Sequence, residues 1–338
     1  MRLLLKSWYP MPRLEFIRSQ LDPAWEIRVC DREHVDLAQS PGFARELSAA
    51  HSVVSMSWPS GMPAAPELRL IQLPGAGLNQ IDFDAVPAQC SVCNVFEHEI
   101  GIAEYLVLAI LEWEIGLRHM DASLREGIWS DGFALGRPLH GELHGKSVGF
   151  IGYGRISRET ARRLRPFGVH IRACTRSPDK GDQYVDDIAG MHGLQEMLGN
   201  CDYVVVACPL TDETRGLIDA DALAYMQRSG VIVNVARGEI IDEQALFEAC
   251  QQNRIGGAII DTWYRYPTAA DPATERCLPS RYEFQSLDNV IMTPHASGWS
   301  RGLLDRRWRV MIENFNRLAR GEPLLNRVRA PLAQASRH

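Results

Sequence analysis

The 338-residue chain has no low-complexity tract, no excess of basic charge, and no segment near the about 18 uninterrupted apolar residues that a membrane-spanning helix needs. Each absence narrows the range of functions. A net charge of -6 offers no electrostatic footprint for nucleic acid or an anionic membrane, so neither is expected as a partner. The basic runs RETARRLR and LDRRWR fit solvated helix faces. The opening stretch MRLLLKSWYPMPRLEF is interrupted by Lys6 and Pro10 and lacks the apolar core and small-residue cleavage site of a secretory signal, so a cytoplasmic location is expected. Eight cysteines are scattered, and only Cys90 and Cys93 form a C-x-x-C. A zinc site needs a second such pair or nearby histidines, and on a strand these two side chains face opposite ways. Reduced thiols packed in a core, and no bound metal, are therefore expected.

What is present is the composition of a globular protein, 46% hydrophobic and 23% charged, in a chain long enough for two cores. From about residue 145, KSVGFIGYG, VHIRACT, CDYVVVACP, SGVIVNVARG, IGGAIIDTW and DNVIMTPHA are short runs rich in Val and Ile, each ended by polar, Gly or Pro residues. Nearly continuous apolar runs suit strands buried on both faces, hence a parallel sheet covered by helices such as SRETARRLRPFG and DEQALFEACQQNR. Before about residue 110, EIRVCD, HSVVSMSWP, LRLIQLPGAG and CSVCNVF alternate with PGFARELSA to make a second, smaller α/β unit, followed by the helix IAEYLVLAILEW. The glycine-rich SDGFALGRPLHGELHG reads as the linker between the two.

VGFIGYGRIS places Gly152 and Gly154 between a strand and a helix, where they permit a tight turn and close approach of the backbone to a pyrophosphate at the helix N-terminus. Ser157 stands at the third glycine position, which requires only a small residue. The end of the next strand is IRACTRSPDK, with Thr175, Arg176 and Ser177 where an NAD site places an acid. Hydroxyls and a guanidinium suit a 2′-phosphate, so NADP(H) is preferred, with NAD(H) usable if Arg176 instead stacks on adenine.

Three polar residues end successive strands: Arg237 in VIVNVARG, Asp261 in GGAIID and His295 in VIMTPH. In open α/β sheets ligands bind outside the carboxyl ends of strands, so the three converge on one crevice. Arg237 can fork onto a carboxylate and a carbonyl oxygen, and His295 titrates where a proton can be exchanged with a hydroxyl. Together they describe reduction of a 2-oxo acid.

The motifs LPGAGLNQID, IAEYLVLAIL, LHGKSVGFIGYGRI, CPLTDETRGLI, NVARGEIIDEQAL, GGAIIDTW and TPHASG, in this order, resemble the D-isomer-specific 2-hydroxyacid dehydrogenase family over almost the whole chain. The resemblance implies two Rossmann-like or flavodoxin-like domains with parallel sheets and an interdomain cleft. It implies a discontinuous substrate domain of residues 1–110 plus 297–338, a dinucleotide-binding domain of residues 111–296, and a homodimer. It assigns catalysis to Arg237 and His295, carboxylate binding to the amides of Gly75, Ala76 and Gly77, and a place at the substrate mouth to Trp58. It assigns pyrophosphate contacts to Tyr153, Arg155 and Ile156, further cofactor contacts to Pro209, Thr214, Val235 and Ala236, and the nicotinamide carboxamide to Asp261. A glyoxylate or hydroxypyruvate reductase is the leading expectation. A dehydrogenase of a simple anion such as formate or phosphite, and a dinucleotide sensor without catalysis, are the alternatives.

The chain departs from this family in DTWYRYP, where Tyr266 occupies the position of the glutamate that pairs with the histidine. A phenol orients an imidazole but adds no charge, so His295 is expected to lose its proton at lower pH than in typical relatives. His98 and Glu99 become candidates for substrate contact. The stretch from Pro267 to His295 is longer than the resemblance predicts, and its TERCLPSRYEFQ is expected either to lie on the surface or to cover the site. Trp58, Tyr264, Tyr266 and Trp299 would suit a larger or aromatic acid.

Overall fold

The structure, a computed structural model, describes residues 1–6, 13–30, 41–129, 139–267 and 276–331. The chain divides into two compact units, Met1–Glu97 with Arg301–His338, and His98–Ser300. The boundaries read from sequence, 110/111 and 296/297, differ from these. The first falls inside the helix Glu99–Ile115, and an apolar helix is not divided between two cores. The glycine-rich stretch is not the point of division either. Its residues 139–145 lie within the second unit, and 130–138 fall outside the described residues.

In the first unit, β1 (Arg2–Lys6), β2 (Glu26–Cys30), β3 (Ser52–Val54), β4 (Leu70–Gln72), β5 (Ser91–Cys93) and β13 (Arg327–Arg329) form one sheet in the order β13-β5-β4-β3-β1-β2. Only β13 runs antiparallel to its neighbour. β1 lies in the opening stretch MRLLLKSWYPMPRLEF, which carries no strand signal beyond three leucines. Its alternation places Leu4 in one apolar cluster and Leu3 and Leu5 in the other, all fully buried. Helix α2 (Pro41–Ser48) covers the first face with Phe43 and Leu47. Helix α9 (Arg301–Arg320) covers the second with Trp308, Met311, Ile312 and Phe315, beside α1 (Leu14–Gln20). Cys90 and Cys93 are buried in opposite clusters.

The second unit opens with α3 (Glu99–Ile115) and α4 (Leu117–Arg125). It continues through β6 (Ser147–Ile151), α5 (Arg155–Leu164), β7 (His170–Cys174), β8 (Asp187–Ala189), α6 (Leu194–Asn200) and β9 (Tyr203–Val206). α7 (Ala220–Tyr225), β10 (Val231–Asn234), α8 (Glu243–Gln251), β11 (Gly257–Ile260) and β12 (Val290–Met292) complete it. The seven strands are parallel, in the order β12-β11-β10-β9-β6-β7-β8. β9, β10 and β11 are buried along their whole length, because apolar clusters cover both faces. The basic residues of α5 are solvated or paired: Arg162 and Arg163 both reach Glu159. Among the described residues no helix is long and apolar enough to cross a membrane.

The described part of the segment from Pro267 to His295 is anchored in the core of the second unit. Phe284 is fully buried against Trp263 and Phe247, and Tyr282 stacks on Phe247 with ring centroids 5.2 Å apart. Residues 268–275 lie outside the described residues.

Candidate active site

Because the sheet of the second unit is parallel, the carboxyl ends of β6, β7, β9, β10, β11 and β12 share one edge. Strand order reverses between β6 and β9, the place where such sheets bind ligands. At the end of β6 Gly152 adopts φ +88°, and a Cβ there would lie 2.9 Å from the Cα of Cys208 beyond β9. Only glycine fits this crossing. Gly154 is the N-cap of α5, with no side chain capping the helix and open space where a Cβ would stand. An uncapped helix N-terminus beside a bare glycine fits the pyrophosphate of a dinucleotide. Ser157 is fully buried and its hydroxyl donates to the Gly152 carbonyl at 2.5 Å, so the substitution at the third glycine position staples the turn.

The neighbouring residues divide. Tyr153 is turned into the core, its hydroxyl on Asp182 at 2.8 Å, so only its backbone is left for a cofactor. Arg155 leans toward Glu99 at 3.7 Å, and Ile156 is half-buried in the apolar cluster against α3. At the end of β7, Thr175 is tied through its N–H to Ala189, Ser177 follows in a turn, and Arg176 is exposed. The Thr214 hydroxyl donates to the Pro209 carbonyl and closes the loop after β9, while Val235 and Ala236 are buried after β10.

Arg237 follows in extended backbone. Asn234 shapes its turn, accepting from the Ala236 N–H at 3.0 Å and donating to the Arg237 carbonyl at 2.9 Å. A Cβ on Gly238 would come within 2.6 Å of the Trp263 carbonyl group, so the Arg237 turn rests directly on the backbone beyond β11. Asp261, at the end of β11, is fully buried. Its Oδ1 accepts from the Thr293 hydroxyl at 2.7 Å and the Ala296 N–H at 2.8 Å, and its Oδ2 from the Ser297 N–H at 3.0 Å. The carboxamide role expected for Asp261 is thus met by a carboxylate already engaged in holding the loop that carries His295. This explains how His295 keeps φ +54°, a left-handed conformation costly for a non-glycine residue. Tyr105 of α3 extends the network, its hydroxyl 2.8 Å from that of Thr293, and burial pushes its pKa up to about 12.

His295 Nδ1 lies 3.0 Å from the Tyr266 hydroxyl, which also accepts the Trp263 N–H at 3.0 Å. The histidine keeps an accessible face, yet protein packed around the ring pushes its pKa below 6.5. The Asp261 charge opposes this shift and the Arg237 guanidinium reinforces it. Burial likewise raises the phenol of Tyr266 above its usual range. Of the residues singled out in the sequence, the Tyr266 hydroxyl lies on His295 and the Arg237 charge acts on the same ring. Trp263, Thr293 and Tyr105 stand in GGAIIDTW, TPHASG and IAEYLVLAIL, but their contacts are tertiary and no local pattern marks them.

The remaining candidates separate more widely. His98 stands at the N-cap position of α3, and a Cβ on Gly298 would lie 3.4 Å from its Cβ, so the loop after His295 passes beside it. Trp299, on that loop, is 65% exposed. In the first unit, the turn Gly75–Ala76–Gly77 follows β4 and is held by its carbonyls, Gly75 accepting from the Val95 N–H and Ala76 from the Asn94 amide. Trp58 is a correction. It is 1% exposed, its Nε1 donates to the Ala85 carbonyl at 3.1 Å, and its indole packs in the α2-side core. A fully buried indole at the centre of one unit's core has no face left for a substrate. Among the described residues no group of three or more His, Cys, Asp or Glu is placed to hold a metal ion.

A sequence model of the family described as D-isomer specific 2-hydroxyacid dehydrogenase, NAD binding domain, matches residues 107–297. The chain is 32% identical over 269 residues to D-3-phosphoglycerate dehydrogenase of Mycobacterium leprae, a match covering 77% of this chain and 47% of that protein. It therefore spans about half the length of such relatives. It is 30% identical over 268 residues to glyoxylate reductase of Thermococcus kodakarensis, covering 77% of this chain and 76% of that one. A solved D-isomer specific 2-hydroxyacid dehydrogenase from Xanthobacter autotrophicus, in complex with NADPH and MES, superposes with a TM-score of 0.77 at 25% identity, over 97% of this chain and 98% of that one. With an arginine and a phenol-paired histidine on the same sheet edge as an uncapped glycine turn, and a family match over more than half its length, the chain belongs to the D-isomer specific 2-hydroxyacid dehydrogenase family.

Proposed function

We propose that the protein is an NADP(H)-preferring reductase of small 2-oxo acids of the glyoxylate and hydroxypyruvate type, acting in the cytoplasm as a homodimer. The observation that carries this reading is the placement of Arg237 and His295 on neighbouring loops of one sheet edge, locked together by Gly238 against Trp263 and by Asp261 against residues 293–297. When bound, the nicotinamide supplies the hydride. Arg237 binds the substrate carboxylate and polarises its carbonyl. His295 delivers the proton to the oxygen, so one hydride and one proton convert the oxo acid to the hydroxy acid. One observation supports NADP(H): Thr175, Arg176 and Ser177 follow β7 where a carboxylate would favour NAD(H). For the homodimer, none of the residues of α4 is buried, and Leu117, Leu124, Ile128 and Trp129 are exposed on and after it.

A second reading draws on Tyr266. Its oxygen accepts the Trp263 N–H and its proton remains available for Nδ1, which leaves a neutral His295 with its proton on Nε2. A neutral donor beside Arg237 suits oxidation of an anion such as formate, where no proton moves at oxygen. One panel separates the readings: NADPH and NADH with glyoxylate, hydroxypyruvate and phenylpyruvate, and NADP⁺ and NAD⁺ with formate and phosphite. Turnover of the oxo acids with NADPH at higher kcat/KM than with NADH is the expected result. Turnover of formate alone establishes the second reading, and cofactor binding without any turnover marks a sensor.

A further inference from the structure

In the segment between Pro267 and His295, Ser280 and Arg281 converge on one carboxylate of helix α8. Glu243 stands in the first turn of α8 with its side chain 12% exposed. Its Oε1 accepts from the Ser280 hydroxyl at 2.7 Å and from the Arg281 N–H at 3.1 Å, and its Oε2 lies 2.9 Å from Arg281 Nε. Three donors converge on one nearly buried carboxylate, and all come from two adjacent residues of that segment. Charge-assisted hydrogen bonds of this kind fix geometry as well as adding stability.

What they fix is the neck of the loop that carries Tyr266. The Pro279 carbonyl, next to Ser280, accepts the Arg265 N–H at 2.9 Å. Arg265 precedes Tyr266, whose hydroxyl meets His295 Nδ1. Tyr264, on the other side of Arg265, donates its hydroxyl to the Ile241 carbonyl at 3.1 Å, two residues before Glu243. The stretch from Arg237 to Glu243 is therefore tied to the strand exit that ends in Tyr266 directly at Tyr264 and, by way of residues 279–281, at Arg265, and its first residue is the substrate-binding arginine.

From this geometry we infer that Glu243 is a positioning residue for His295. By clamping Ser280 and Arg281 it sets the Pro279 carbonyl, holds Arg265, and so seats the Tyr266 phenol on the imidazole. The segment thereby fixes the orientation of the phenol that stands where the family pairs a glutamate with the histidine, and it adds no charge there. The inference deepens the proposed reaction and rests on it for catalytic meaning, but the seating of the phenol exists without substrate. The charged and titratable groups acting on the ring are Tyr266, Asp261 and Arg237, and the clamp alters none of them chemically.

The test is a ¹⁵N-histidine titration of the full chain without ligands, with the His295 signals assigned by their loss in His295→Gln. Tyr266→Phe, which removes the hydroxyl, sets the size and direction of the change in Nδ1 when its partner is absent. In Glu243→Ala the Nδ1 signal is expected to move in that same direction, and in the double variant no further than in Tyr266→Phe alone, the non-additivity of two residues on one path. Glu243→Gln keeps an acceptor for Ser280 and the Arg281 N–H and is expected to restore most of the wild-type signal. Should Glu243→Ala not fold, Ser280→Ala removes one arm of the clamp and is expected to give a smaller shift of the same sign. A wild-type Nδ1 signal in the folded clamp variants, or effects that add in the double variant, overturns the inference whatever the substrate panel shows. A failed panel beside a moving Nδ1 signal overturns the reaction and leaves the clamp.

Discussion

In the proposed reaction His295 and Tyr266 set the pH behaviour of the site. Reduction needs the imidazolium, and protein crowding has pushed the pKa of the imidazole below 6.5 without a neighbouring glutamate to pull it back. The rate of oxo-acid reduction is thus expected to fall off on the alkaline side at a pH lower than an ordinary histidine would give. Tyr266→Glu places a carboxylate at Nδ1, stabilises the cation and should move that limb upward. A pH profile of kcat/KM unchanged by the substitution would mean that another group already supplies the charge. Arg237→Lys removes the forked contact and is expected to lower kcat/KM by about 10- to 150-fold, the worth of one hydrogen bond to a charged group. At this scale the sequence was legible where a side chain does chemistry at a strand end and illegible where it packs. Trp58 and Asp261 look equally functional in a one-letter string. Only burial and partners separate an indole sealed in a core from a carboxylate that holds a catalytic loop.

At the scale of elements, the turns matter more than the strands they follow. The Arg237 turn and the Trp263 backbone touch through Gly238, with no space for a methyl group and backbone on both sides. Gly238→Ala is expected to cost about 1–3 kcal/mol, as overpacking does, and to lower activity further because the displaced neighbour is Arg237. Urea unfolding read beside kcat/KM separates the two effects. The segment between Pro267 and His295 makes a different prediction. Phe284 is fully buried against Trp263 and Phe247, so Phe284→Ala should destabilise by about 3–5 kcal/mol, whereas an aromatic on a surface loop would cost almost nothing. An unchanged urea midpoint would show that the segment is not part of the core. In sequence this segment stood out only by its length, because anchoring to Glu243 is a contact between residues 37 apart, and no local pattern encodes such a pairing.

For the whole molecule, the apolar exposed residues around α4 are the surface expected to meet a second copy of the chain. Replacing Leu124 and Trp129, 52% and 59% exposed, with glutamate should convert a species of twice the chain mass to a monomer in sedimentation equilibrium. A wild-type protein that sediments as a monomer would remove the basis for that expectation. The two units were visible in the alternation of apolar runs, because a parallel strand buried on both faces writes a continuous apolar signature. The N-terminal strand β1 has only three leucines between two basic residues, a pattern that fits an interrupted signal as well as a strand. Their limits were not visible, because a unit ends where contacts end, and α3 belongs with the sheet its apolar residues cover. By itself the sequence determined the α/β class, the glycine turn, the family and the identities of Arg237, Tyr266 and His295, all set by local pattern or residue chemistry. Tertiary structure alone decided how Asp261 holds the left-handed His295, which way Tyr153 and Trp58 face, and that the segment before His295 is fastened at Glu243. Those depend on which distant groups share a hydrogen bond or a core, and that is determined by the packing of the whole chain.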